Sequence, residues 1–222
     1  MRNLLKKITH PFLKLGLKLY YYKPRKYCYE NICVKVHPDV FPPHLTLSTK
    51  ILLDFINPLE LENKSFLELG CGSGIISLLA SKKGAKVTST DINIIALDFL
   101  KESANNNQLK ITIIESNLFD NLVGHSFDYI VINPPYYPKA PKNIKEQAWF
   151  CGVNFDYFEL LFSQLANYKT PSNSVYMILS EDCDLVKIKA IAKKNNLSMK
   201  CVSQKSVVKE INYIFIIDKI ES

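Results

Sequence analysis

The chain has 222 residues, 47% of them apolar and 11% aromatic, and a net charge of +7. That length and apolar share suit one compact domain with a sizeable core. No apolar run approaches the roughly 20 residues needed to span a bilayer, and Lys6, Lys7, Lys14 and Lys18 interrupt any signal-peptide core at the start. The charge is uneven: residues 1–50 carry a net +8 and the remaining 172 a net −1. The basicity therefore belongs to an extension, placed at 1–45, and the main domain to 46–222. The six cysteines, Cys28 and Cys33 among them, include no CxxC pair. They read as reduced thiols of a cytoplasmic protein, with no zinc site.

Residues 1–26 hold eight bases and no acid, and Leu4, Leu5, Ile8, Phe12, Leu15, Leu19 and Tyr22 recur at spacings of three and four. This predicts an apolar stripe on a helix or helix pair, broken at Pro11. Such a helix either packs on the domain or offers its lysines to RNA, the ribosome, an anionic membrane or an acidic partner. Residues 28–37 alternate enough for a short strand or hairpin arm. Pro38, Pro42 and Pro43 then mark an irregular segment, and Thr46 or Ser48 reads as the cap of a helix over 49–57.

From residue 65 a regular strand–helix alternation begins. Strands are expected at 65–69, 86–90, 111–114, 127–132, 174–179, 199–202 and 213–217. Helices are expected from Ile75 to Gly84, from an Asn93 cap to about Ala104, and around 155–165 and 185–192. Alternation of this kind implies a seven-stranded, mostly parallel, Rossmann-like α/β sheet with helices on both faces.

Two stretches carry chemistry. Phe66-Leu-Glu-Leu-Gly-Cys-Gly-Ser-Gly74 turns a strand into a helix, and its alternate glycines let a ligand pass close to the backbone. A dinucleotide fingerprint would need a third Gly or Ala at position 75, where this chain has Ile, so an NAD oxidoreductase is the weaker reading. The acidic Glu68 suits a ligand ammonium group. Asp91, at the end of the next strand, suits two ribose hydroxyls. The second stretch is Ile130-Val-Ile-Asn-Pro-Pro-Tyr136, where two prolines end a buried strand in a stiff loop bearing an amide and an aromatic ring.

In this order and at this separation, the two motifs resemble those of class I S-adenosyl-L-methionine-dependent methyltransferases. More narrowly, the chain is similar to the amino-methyltransferases with an Asn-Pro-Pro-Tyr motif. These are the HemK/PrmC-like glutamine N5-methyltransferases, the small-domain ribosomal RNA guanine-N2 enzymes and the DNA adenine-N6 enzymes. The resemblance implies that Glu68, Gly70, Cys71, Gly72 and Gly74 line the methionine end of S-adenosyl-L-methionine, and that Asp91 and Ile92 hold its ribose side. Asn117 and Leu118 would meet the adenine, with Asn117 standing where the family carries an acid. Asn133, Pro134 and Tyr136 would form the catalytic loop, while Thr46, Ser48 and Thr49 would close the pocket. Trp149, the only tryptophan, reads as a core anchor rather than a substrate wall.

The implied activity is N-methylation of a planar amide or amino nitrogen, with protein glutamine N5 ahead of an rRNA or DNA base. A small-molecule acceptor or a non-catalytic scaffold are further alternatives. The implied partners are a protein or nucleic-acid substrate, with RNA, the ribosome or an acidic protein meeting the basic extension.

Overall fold

The computed structural model describes residues 22–44, 46–207 and 210–220. Most of the stretch expected as a basic helix, with its break at Pro11, lies outside the described residues; its last part is not helical, since Tyr22 is in a turn and Arg25 and Lys26 begin a strand. The first described elements are two antiparallel strands, β1 (Arg25–Tyr29) and β2 (Ile32–Val36). Their register sets Cys28 directly opposite Cys33, with Cα atoms 4.1 Å apart, and the two are joined in a disulfide. This corrects the expectation of reduced thiols there. Spacing in sequence does not reveal that a hairpin brings two residues face to face, and close facing pairs are where a cross-strand bond is geometrically accessible.

Helix α1 (Leu47–Ile56) follows, with Thr46 at its N-cap position; its hydroxyl makes no capping bond and donates instead to the Pro42 carbonyl. Strands β3 (Ser65–Leu69), β4 (Lys86–Asp91), β5 (Ile111–Glu115), β6 (Tyr129–Ile132) and β7 (Ser174–Ser180) run parallel. They are joined by β8 (Leu197–Val207) and β9 (Glu210–Lys219), and β9 pairs antiparallel to both β7 and β8. The order across the sheet is β5-β4-β3-β6-β7-β9-β8. The expected seven-stranded, mostly parallel sheet is therefore present. Its last two strands are at least twice the expected length, and β8 is an edge strand bulged between Cys201 and Ser203.

Strand alternation divides the core. Phe66, Val87 and Val131 point to one face, where α1, α2 (Ile75–Lys82) and α3 (Ile94–Asn106) pack. Leu67, Leu69, Ile130 and Ile132 point to the other, against α5 (Asp156–Tyr168) and α6 (Leu185–Lys194). Both faces are thus apolar, as a parallel sheet covered on two sides requires. Ile32, Val34 and Val36 of the hairpin join the first core. Asn107, just past α3, accepts from the Cys33 N–H (3.2 Å) and donates to its carbonyl (2.7 Å), tying down the free edge of β2.

Topology places the crevice. After β3 the chain moves outward through β4 and β5, then returns to pair β6 on the other side of β3. The connections diverge there, and in such sheets ligands bind beyond the carboxyl ends of the strands. Leu69 is in register with Ile132, so the glycine turn and the Asn133 loop leave the sheet side by side.

Candidate active site

A cavity of about 430 Å³ lies over the carboxyl ends of β3, β4, β5 and β6. That volume falls within the range of pockets that hold a small organic ligand. Its floor is the turn Gly70–Ser73; Gly70 and Gly72 of that turn have positive φ, as does Gly74, which follows it and, against expectation, does not line the cavity. A Cβ at Gly74 would collide with Leu100 of α3, so this glycine is needed for helix packing as well as for the turn. A Cβ at Gly72 would come 3.7 Å from Phe41, which roofs the same space.

Glu68 is buried at the cavity wall. One of its carboxylate oxygens accepts from the Ser77 backbone N–H (2.8 Å) and from the Ser77 hydroxyl, which in turn accepts from Ser89 (2.6 Å). Burial pushes its carboxyl up to about 8 against the pull of these hydrogen bonds, and the Asp91 charge adds to the rise. Asp91 accepts from the Gly72 N–H (2.8 Å) and the Asn93 N–H (2.9 Å), and burial raises its pKa as well. Backbone amides thus hold both Asp91 oxygens and aim the carboxylate at the cavity, where an oxygen can still accept from a ligand.

Ile92, Asn117 and Leu118 also line the cavity. Leu118 sits at φ +50, and its carbonyl is held by the Ser116 hydroxyl (2.8 Å), which shapes the turn after β5. Asn93 caps α3 by accepting from the Ile95 N–H, as its position in the sequence suggested. Of the three hydroxyl residues expected to close the pocket, Thr49 lines it; Thr46 and Ser48 do not.

Asn133 stands on the wall, and no described residue makes a hydrogen bond to its side-chain amide. A half-buried amide directed into a cavity, with four hydrogen-bonding sites unspent, is available to a ligand. Pro134 is buried beneath it and Pro135 lines the wall. Tyr136 does not line the cavity. Its ring packs on the core of the α5–α6 face, 4.7 Å from the Tyr137 ring, and burial raises its pKa.

Sequence reasoning missed the cover. Residues 137–152 fold back on themselves: the Tyr137 N–H donates to the Trp149 carbonyl, Cys151 N–H to Tyr137, and Gly152 N–H to Lys139. The short helix α4 (Ile144–Gln147) lies in this strap, capped by the Asn143 side chain accepting from the Glu146 N–H (3.0 Å). Ala140, Pro141, Ile144 and Gln147 of the strap line the cavity. Two contacts join the strap to the segment after β2: Lys145 to Asp39 (3.0 Å), and the Trp149 ring to the Phe41 ring (4.8 Å). Trp149 is only half-buried, so it braces the roof of the site rather than anchoring the core. The Asn143-Ile-Lys-Glu146 capping pattern was the signal available for α4.

Residues 31–149 match the family model for the methyltransferase small domain. The chain belongs to this family, whose members draw their methyl group from S-adenosyl-L-methionine. Over 112 residues it is 44% identical to a Methanocaldococcus jannaschii protein assigned as a protein N5-glutamine methyltransferase, covering 50% of this chain and 54% of that protein. Over 123 residues it is 33% identical to the ribosomal RNA small subunit methyltransferase C of Haemophilus influenzae, covering 53% of this chain and 36% of that protein. The chain thus spans about half or less of the length of these relatives.

Two solved structures share the fold. A T. thermophilus 16S rRNA N2 G1207 methyltransferase, in complex with AdoMet and guanosine, matches 89% of this chain and 50% of that one, with a TM-score of 0.62 at 16% identity. The E. cuniculi Mtq2–Trm112 complex, which methylates the translation termination factor eRF1, matches 82% of this chain and 99% of that one, with a TM-score of 0.60 at 22% identity.

Proposed function

We propose that this chain is an S-adenosyl-L-methionine-dependent N-methyltransferase whose acceptor is the side-chain amide of a protein glutamine. The observation that carries the reading is the free Asn133 amide, set beside the glycine turn in one cavity with Glu68 and Asp91. The choice of glutamine rests on the 44% identity to the M. jannaschii protein.

The cavity fits the donor in volume and in chemistry. Glu68 suits the ammonium group, an Asp91 oxygen suits the ribose hydroxyls, and the glycine turn leaves room for the chain between them. When bound, the donor supplies an electrophilic methyl group on a sulfonium sulfur.

An amide nitrogen is a poor nucleophile because its lone pair is shared with the carbonyl. The Asn133 side-chain oxygen and the Pro134 carbonyl accept hydrogen bonds from the target NH2. They hold the nitrogen, favour the geometry in which its lone pair leaves conjugation, and stabilise the positive charge that develops as the N–C bond forms and the S–C bond breaks; the nitrogen then gives up one proton to solvent. The two prolines keep the acceptors rigid, so little reorganisation is spent during the reaction. The strap of residues 137–152 keeps water from the methyl group.

The test is transfer of radiolabelled methyl groups into cell-lysate fractions, followed by protease or nuclease digestion. Protease-sensitive label, mapped by mass spectrometry to a glutamine side chain in a translation termination factor, is the expected result. Nuclease-sensitive label would assign a base amino group instead, the reading favoured by the 33% identity to the ribosomal RNA enzyme and by the basic stretch of residues 1–50.

A further inference from the structure

The roof of the cavity hangs from the hairpin that precedes it. Beyond β2 the chain passes Asp39, whose carbonyl accepts from the Asn93 side chain (3.0 Å), and reaches Val40 and Phe41, which line the cavity. Three residues further on, the His44 ring stacks on the Tyr27 ring of β1, with centroids 6.3 Å apart. The roof segment is thus held at one end by β2 and at the other by β1. The two strands are anchored unequally. β2 buries Ile32, Val34 and Val36, and Asn107 grips the Cys33 backbone. β1 has no fully buried residue, and β2 is its only partner among the described strands. Tyr27 and Tyr29 are half-buried against the first core. The hairpin's hydrogen bonds to α1 and its C-cap are exposed: the Tyr29 hydroxyl donates to Asp54 (2.9 Å), and the Asn57 side chain donates to Glu30 (3.0 Å).

The Cys28–Cys33 bond ties the weakly anchored strand to the firmly anchored one. Cys28 is exposed, so a reductant reaches the pair from solvent. We infer that this bond is a redox switch on the donor cavity. Intact, it keeps β1 on the domain and the Tyr27 ring against His44. Reduced, it lets β1 fray, the roof loosens and donor affinity falls. The inference rests on the reading that the cavity takes S-adenosyl-L-methionine, and adds a means of regulating that same site.

A two-stranded hairpin is marginally stable by itself in water. The cross-link works against fraying by removing much of the freedom that an opened β1 would gain. Apparent donor affinity scales with the fraction of molecules whose roof is ordered, so fraying weakens binding in proportion. Exposed disulfides are also the ones most open to exchange. A thiolate of a dithiol reductant attacks the Cys28 sulfur, the Cys28–Cys33 bond breaks and a mixed disulfide forms. The second thiolate of the reductant then displaces Cys28. Two electrons and two protons pass to the cysteines, which end as thiols, while the reductant ends as a disulfide. Cys71 and Cys151 also line the cavity, but burial raises both thiols, Cys151 to about 11, which makes them poor partners in exchange.

Isothermal titration of the full chain with S-adenosyl-L-methionine, before and after treatment with dithiothreitol, tests this. Thiol counts in denaturant fix the state of the protein: four of the six cysteines should react before reduction and all six after it. Reduction should weaken donor binding about fivefold, and re-oxidation should restore it. The double variant Cys28→Ser, Cys33→Ser should bind as the reduced wild type does and ignore dithiothreitol. Tyr27→Ala should weaken binding although the bond is intact, because it removes the ring that meets His44. Equal donor affinity in the two states of the wild type, or six reactive thiols before any reductant, overturns the inference while leaving the donor site intact. A double variant that still responds to dithiothreitol also overturns it, by moving the effect to the thiols of the cavity wall. Failure of the donor to bind in either state removes the methyltransferase reading itself.

Discussion

Two buried ionisable side chains in this molecule receive opposite treatment. Lys169, just past α5, is 3% exposed, and its ammonium has three acceptors: the carbonyls of Thr170 and Asn173, both at 2.7 Å, and the Asp218 carboxylate at 3.0 Å. Glu68, at the carboxyl end of β3, is 5% exposed and has only Ser77 to offset its burial, with a second carboxylate, Asp91, nearby. The lysine is saturated and fastens a loop. The glutamate is left short of compensation, as groups that await a ligand are. A buried ionisable group therefore reads as structural or functional by its partners, not by its depth.

The contrast is sharpest at Asn133, the uncharged counterpart of Glu68 on the same cavity wall. If its amide holds the acceptor, Asn133→Ala should lower methyl transfer by roughly 10²–10³-fold. Donor affinity should stay within a few-fold of wild type, because the glycine turn and Asp91 remain. Single-turnover kinetics alongside titration of the donor separate the two effects. Wild-type turnover in this variant would falsify the proposed role.

Glu68 gives the next largest effect, read in the unliganded protein. Its folded carboxyl, raised to about 8, lies above the ordinary value of 4.5. Stability from this group is thus intact below pH 4.5 and is lost as pH rises towards 8, because the unfolded chain ionises freely while the native one resists. Relative to Glu68→Gln, the wild type should lose on the order of a few kcal/mol across that window and level off above it. Parallel melting curves for the two proteins from acid to mild alkali would show that Glu68 is well compensated after all.

Breaking the saturated site should cost stability without touching chemistry. Lys169→Met leaves two carbonyls short of a donor, and we expect a loss of about 2 kcal/mol in denaturant unfolding. Asp218 is half-exposed and can turn to water, which keeps the loss below that of a fully buried pair. Donor affinity should not change.

These residues were unequally legible in the sequence. The Gly70–Gly74 turn, Asp91 and Asn133 are read from local pattern because each sits where a strand ends, and strand ends are marked by a change of hydrophobic period. The sheet followed for the same reason. What stayed hidden depends on contacts between distant segments. The Cys28–Cys33 bond needs the hairpin register, and the strap of residues 137–152 contains one four-residue helix with no periodicity to detect. Trp149 looked like core because tryptophan usually is, yet its partner Phe41 lies more than a hundred residues away on the roof of the cavity. Tyr136 was legible as part of a motif but not in its orientation, since its ring turns to the core and away from the cavity.

The clasp between strap and roof should give the smallest effect. The Lys145 and Asp39 side chains are 52% and 43% exposed, so water and salt screen their attraction, and pairs of this kind contribute about 1 kcal/mol or less. Lys145→Met should therefore weaken donor binding by no more than about fivefold at low salt, and by nothing measurable near 1 M salt. The Phe41–Trp149 contact is apolar, and salt does not screen it. Phe41→Ala should weaken donor binding more than Lys145→Met does, and by a similar factor at both ionic strengths. A loss in Lys145→Met that persists undiminished at high salt would mean that the lysine orders the strap through its aliphatic stem rather than its charge.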